Sequence, residues 1–254
     1  MKKKIWLICL IAVIIALIYS GWRVVSTLSE NGKNDDCYED IRNECFIDES
    51  EDTPKKTESK SENNTSVATR KKVNFVKLKK KAEKAIGWIY SPNTQINYPI
   101  MQHSNNSYYL NHLSNGNRNA GGAIFADYQN EPDFSDYNTV IYGHHMRNHS
   151  MFGSLTNYKD QSYYNKHKVM YLYTDKGDYK LKLICGFTTK GTSDLYLVPA
   201  NAKLTKKLIN YGISHSTFKS KVKIKDGDRI VTLSTCSQSE HGDRYVVMAK
   251  LVAE

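Results

Sequence analysis

Arg229-Ile-Val-Thr-Leu-Ser-Thr-Cys236, a polar turn, and then Arg244-Tyr-Val-Val247 form the stretch on which the fold turns. Ile230, Val231, Thr232 and Leu233 are β-branched or apolar and read as a buried strand, and the run Tyr245 to Met248 reads as its antiparallel neighbour. Such a hairpin brings Cys236 and Arg244 to adjacent strand ends. Positive potential beside a thiol favours the thiolate, and a guanidinium offers hydrogen bonds to an oxyanion forming on a substrate, so the pair is a candidate nucleophile and stabiliser. The missing proton carrier is His144. It stands where the apolar run Thr139-Val-Ile-Tyr142 ends in Gly143-His144-His145, a glycine turn presenting an imidazole at a strand end.

Outward from this hairpin the chain is strand-rich. Gln95 to Met101, Ala123 to Ala126, Asn138 to Tyr142, Val169 to Thr174, Tyr179 to Thr188, Val222 to Ile224, Arg229 to Leu233 and Tyr245 to Val252 are short β-rich runs separated by Gly, Asn, Asp and Pro. Asp175-Lys-Gly-Asp178 is a hairpin turn and Asp226-Gly227 marks another. So many antiparallel candidates predict a mainly β fold, a sandwich or a closed barrel in which closure protects the edges. Helices are expected near Met151 to Tyr158 and Lys203 to Tyr211. Val73 to Ile89, with Phe75, Val76, Leu78, Ala82, Ala85 and Ile86 among lysines, fits an amphipathic helix.

The N-terminus is organised differently. Residues 1–4 carry three lysines and read as a cytoplasmic basic end, followed by an uncharged apolar run from Ile5 to Trp22, so 5–25 is read as a transmembrane signal anchor. Tyr19-Ser-Gly-Trp22 is no small-x-small cleavage site, which favours an anchor left in place over a secretory signal. Residues 26–66 read as a polar acidic stalk: between Glu30 and Ser66 twelve acidic residues face five basic ones, with almost nothing to bury. Cys37 and Cys45 fall within it, either as a local disulfide or as free thiols. Residues 67–254 are then one extracellular domain carrying 27 basic and 14 acidic residues, net +13 within a chain total of +10. That basicity is either an ordinary solvated surface or an attraction to anionic polymers or lipids outside the cell. Nucleic acid is not an expected partner, because an exported domain meets no genome and no nucleic-acid motif is present.

Competing readings narrow the chemistry. Cys185, in Leu181-Lys-Leu-Ile-Cys-Gly-Phe187, reads as a core filler. His144, His145 and His149 lack the companion ligands that would complete a zinc site, so no metal or cofactor is expected. Two other functions stay open on the residues alone. One is a secreted cysteine peptidase of another fold, although no papain-like or caspase-like signature surrounds Cys236; the other is an anchored β-barrel binding module with a structural cysteine.

Thr232-Leu-Ser-Thr-Cys236 with Arg244, and Tyr142-Gly-His-His-Met146 followed by Ser150-Met-Phe152, resemble the sortases of Gram-positive bacteria, specifically class B. The resemblance runs on through Ile96-Asn-Tyr-Pro-Ile-Met-Gln102, Asn106-Ser-Tyr-Tyr-Leu110 and Gly122-Ala-Ile-Phe-Ala-Asp127, from about Val73 to the C-terminus. It implies an eight-stranded closed β-barrel with N-terminal helices and a helix in the connection before the nucleophile strand. It also implies a cysteine transpeptidase anchored in the membrane, in which Cys236 is nucleophile, His144 general acid and base, and Arg244 oxyanion stabiliser. The implied substrate is a surface-protein sorting signal cut after threonine, and the acceptor is an amine of a cell-wall peptide precursor. By the same resemblance Ser234, Asn106, Leu110, Thr192, Tyr196 and Leu197 line the peptide groove.

Overall fold

The computed structural model describes residues 2–48, 71–146, 148–193, 196, 198, 200–236 and 242–254, without the side chains of 2–5, 7–9, 27, 28, 30, 31, 48 and Cys236. A long helix α1 (Lys2–Cys45) leads into a small antiparallel pair, β1 (Phe46–Asp48) with β2 (Lys71–Val73), and a short helix α2 (Phe75–Lys81). Eight strands follow: β3 (Ala85–Tyr90), β4 (Asn97–Met101), β5 (Ile124–Ala126), β6 (Asn138–His144), β7 (Val169–Thr174), β8 (Gly177–Lys190), β9 (Ile230–Cys236) and β10 (Asp243–Ala253). They close in the order β10-β8-β7-β3-β4-β5-β6-β9, as the expected eight-stranded barrel, with α3 (Gln161–Lys166) and α4 (Ala202–Ser214) in the connections. All neighbours are antiparallel except β4 with β5 and β6 with β9.

Three apolar clusters hold the parts together. One fills the barrel, with Ile100, Leu172, Leu233 and Val247 among its members; a second lies between the barrel wall and α1 and α2, around Ile41, Leu78 and Trp88; a third lies under α4, around Cys185, Leu208 and Val246.

Three expectations need correction. The helix foreseen over Val73 to Ile89 stops at Lys81, and Ala85–Tyr90 is a barrel strand whose Trp88 and Ile89 are buried. The aromatic and β-branched side chains of this segment gain more from a pleated wall than from a helix face. Val222 to Ile224 is an extended connection whose side chains pack against the α4 cluster without entering a ladder. The stalk expectation fails over 26–48, because α1 continues to Cys45 and buries Asn34, Tyr38, Ile41 and Cys45 on one stripe. Their spacing of four, three and four is helical, and the stripe was hidden among acidic neighbours that form the wet face. Lys81 at the end of α2 fastens that face through Asp40 (2.6 Å) and Glu44 (2.8 Å). Cys37 and Cys45 are free thiols, two turns apart on a rigid helix and so about 12 Å distant. The rest of the stalk expectation, residues 49–66, lies outside the described residues.

Candidate active site at the ends of three strands

The site is set by register. β9 lies between β6, which runs parallel to it, and β10, which runs antiparallel. In the parallel ladder His144 is the partner of Cys236 and Tyr142 is the partner of Ser234. In the antiparallel ladder Val246 is the partner of Ser234, the last pair before the ladder ends, and Arg244 stands two residues beyond it on β10, at the end where Cys236 closes β9. Side chains two residues apart share a face, so the three candidate positions lie in one row across three adjacent strands. The Cys236 side chain lies outside the described residues, and its backbone ends β9.

His144 is fixed on two sides. Its Nε2 lies 2.7 Å from the carbonyl of Leu110, and because a carbonyl only accepts, Nε2 is the protonated nitrogen. On the other side stands Gly122, at φ +58°, where an added Cβ would fall 2.9 Å from Cδ2 of the imidazole and 2.4 Å from the Tyr109 carbonyl. Only glycine meets both the left-handed backbone and this close approach. Gly143 is inside β6 and forms no turn, contrary to the sequence expectation. Its role is space, because Ile124 and Phe152 occupy the place of a Cβ at 2.4 and 2.8 Å.

Arg244 is held by rings. Its guanidinium carbon lies 5.2 Å from the centroid of Tyr196 and 5.9 Å from that of Tyr142, and these two rings stack on each other at 5.9 Å. Contact with ring faces leaves the in-plane N–H groups to hydrogen-bond an oxyanion. Tyr142 donates to Asp127 Oδ2 at 2.8 Å, and Asp127 is itself buried. Burial, with the Asp127 carboxylate as the next cause, pushes the Tyr142 phenol far above its ordinary range, so it stays a neutral donor. The turn after β8 closes over Arg244 at Gly191, where a Cβ would fall 2.9 Å from Nε, and Lys190 pairs with Asp243 at 2.5 Å across the same edge.

The expected groove residues divide. Leu110 is partly exposed and meets His144 through its carbonyl. Tyr196 covers Arg244 and shares a 2.8 Å hydrogen bond with Ser234, whose side chain is fully buried beneath it. Thr192 is exposed on the turn after β8. Asn106 is occupied structurally, donating to Asp127 Oδ2 at 2.8 Å and accepting from the Tyr128 amide at 3.0 Å. Leu197 lies outside the described residues. Sequence reading missed Tyr142, Asp127 and Gly122 as site-builders. Tyr142 had a signal, since it stands two residues before His144 on the same strand face.

Other features stand apart from this row. His145, bridged to Met151, is held below the ordinary imidazole range by burial, then by His149 and Lys159. A cavity of about 630 Å³ opens between α4 and residues 222–228 on the outer wall, and neither His144 nor Arg244 lines it. Among the described residues no group of three His, Cys, Asp or Glu side chains is placed to hold a metal ion.

Comparison with known proteins agrees with this geometry. The Sortase domain family matches residues 89–252. Sortase B of Listeria monocytogenes is 30% identical over 242 residues, covering 93% of this chain and 92% of that protein. The structure of sortase B from Bacillus anthracis in complex with AAEK1 superposes with a TM-score of 0.73 at 29% identity, covering 89% of this chain and all of that one. The Staphylococcus aureus sortase B–substrate complex gives 0.67 at 33% identity, covering 70% and 84%. A binding module with a structural cysteine, or a peptidase of another fold, does not fit a match that spans the barrel and its strand-end row. The chain therefore belongs to the sortase family, as a cysteine transpeptidase of class B.

Proposed function

We propose that this enzyme is anchored in the membrane with its barrel outside the cell, cuts a surface-protein sorting signal after threonine, and passes the acyl group to an amine of a cell-wall peptide. The observation that carries the chemistry is the row His144–Cys236–Arg244 across β6, β9 and β10. The Cys236 thiolate attacks the threonine carbonyl carbon, and the negative charge moves to the carbonyl oxygen, where Arg244 donates hydrogen bonds. With Nε2 committed to Leu110, Nδ1 of His144 is the nitrogen that exchanges protons. The imidazolium gives its proton to the departing amine as the C–N bond breaks, which leaves a thioester. The incoming amine attacks the thioester, His144 takes its proton, a new amide forms and the thiolate leaves.

Support for anchoring comes from α1. Among the described residues no helix is long and apolar enough to cross a membrane, the side chains of 2–5 and 7–9 standing outside that set. Yet Trp6, Leu10, Ile11, Val13, Ile14, Ile15, Leu17, Ile18, Tyr19 and Trp22 are exposed around the helix with no protein to cover them. Apolar side chains on every face of one helix call for a lipid surround. The lysines at 2–4 orient it with that end cytoplasmic.

A threonine-containing peptide library, incubated with the enzyme with and without triglycine, tests the reaction by mass spectrometry. The expected products are an acyl adduct on Cys236 and, with triglycine, a ligated peptide at the expense of hydrolysis. Cleavage elsewhere than after threonine, or a product distribution indifferent to the amine, would overturn the reading.

A further inference from the structure

We propose that α1 is part of the catalytic unit, and that Tyr38 is a positioning residue for His144. The inference rests on the reading of His144 as proton carrier. Both contacts that fix the imidazole, the Leu110 carbonyl and the Gly122 backbone, come from the single segment 109–122. This segment has little regular structure of its own beyond one 3-10 turn at Tyr108–Leu110 and one isolated bridge between His112 and Arg118.

What holds it is α1, at three points. Tyr38, fully buried, donates its hydroxyl to the Gly122 carbonyl at 2.9 Å. Asn34, also buried, is pressed against Gly121 so closely that a Cβ there would overlap its amide. Cys37, half-buried on the next turn, lies beside Ser114 and the Asn115 backbone. Tyr38 is in turn set edge-on against Tyr98 at 5.1 Å, and the Tyr98 hydroxyl accepts from the Met151 amide at 3.1 Å in the segment following His144.

The path from α1 to the imidazole is therefore short and made of rigid parts. The Tyr38 hydroxyl fixes the Gly122 carbonyl; Gly122 holds its left-handed turn against the imidazole; the amide of the next residue, Ala123, donates to the Tyr109 carbonyl at 2.9 Å, which sets the adjacent Leu110 carbonyl for Nε2. A proton carrier misplaced by a fraction of an ångström transfers poorly, whereas peptide binding in a groove elsewhere is little affected.

The test is Tyr38→Phe in the full-length chain, which keeps the ring and removes only the hydroxyl. Rates are measured with a peptide taken from the library above and triglycine, per enzyme molecule titrated at Cys236, so that any misfolded fraction does not count. The expected result is a kcat lower by about tenfold with KM for the peptide within about twofold, together with a shifted Nε2 resonance of His144. Lys81→Ala, which unfastens the same helix from α2 at Asp40 and Glu44 without touching residues 109–122, is expected to keep kcat within about twofold of the parent. An unchanged kcat and Nε2 resonance in Tyr38→Phe would overturn the proposal, as would equal losses in both variants, which would mean general loosening. His144→Ala separates the two levels. If that variant is active, the reading of His144 itself fails; if it is inactive while Tyr38→Phe is normal, only the role of Tyr38 falls.

Discussion

Two cysteines flank the same strand and stand in different chemical surroundings. Cys185, in the middle of β8, is the register partner of Met248 on β10, and its sulfur lies against Gly212 of α4, whose Cβ position is 2.7 Å away. Burial pushes this thiol up to about 12, so it keeps its proton and packs as a small hydrophobe. Cys236, at the end of β9 on the other side of β10, has His144 as ladder partner on one side, and Arg244 stands near the same end of β10 on the other. Residue type is the same in both places. Distance along the strand from the end of the sheet decides which one meets an imidazole and a cation.

The sharpest way to break this contrast is to remove each sulfur in turn. Cys236→Ala should lower acyl transfer by about a thousandfold or more, with a thermal unfolding midpoint close to that of the parent. Cys185→Ala should leave turnover per folded molecule within about twofold and cost about 1–2 kcal/mol in denaturant unfolding, because it opens a void under α4. An active Cys236→Ala, or an inactive but folded Cys185→Ala, would reverse the assignment.

Next in size is the cation. Arg244→Lys should reduce kcat by about a hundredfold, since a point charge replaces a planar fork held between two rings. Tyr142→Leu should reduce it less, by about tenfold, by leaving Tyr196 as the only ring against the guanidinium. If Tyr142→Leu proves the worse of the two, the ring pair would matter more than the donors it presents.

The smallest effect belongs to the far end of β10, where Lys250 pairs with Asp228 at 2.6 Å. Desolvation would raise the Asp228 carboxyl, but the Lys250 ammonium and the Lys225 amide outweigh it and hold it below the ordinary 3.8. A lowered folded value means stability that is present above the unfolded value and lost as pH falls through the folded one. Asp228→Asn should therefore cost less than about 1 kcal/mol at neutral pH, a difference that vanishes in acid, with turnover unchanged. A turnover defect would show that the two ends of the strand are not independent.

Much of this architecture was legible in the chain. The Ile230–Leu233 and Tyr245–Met248 runs gave the hairpin, and the strand ahead of His144 was plain from Thr139 to Tyr142. The parallel pairing of β6 with β9, which makes His144 the neighbour of Cys236, joins segments more than ninety residues apart, and no local pattern states it. Asn106 was read as a groove residue by the family resemblance alone; its partner, Asp127, emerges only when β5 is placed beside β6. The docked half of α1 was obscured by composition, since four buried positions in an acidic tract weigh little in any average.

The continuity of α1 from Lys2 to Cys45 has a mechanical meaning. Under the proposed anchor over 5–25, the twenty or so helical residues that remain form a strut about 30 Å long whose far end is locked to the barrel. Height above the lipid and compass bearing of the strand-end row then become properties of residue count. One residue added to the strut would swing the row by about 100° around the helix axis and lift it by about 1.5 Å, whereas four would nearly restore its bearing. On intact cells, activity toward wall-bound acceptors should follow that periodicity, while a detached barrel keeping residues 34–45 should be indifferent to it.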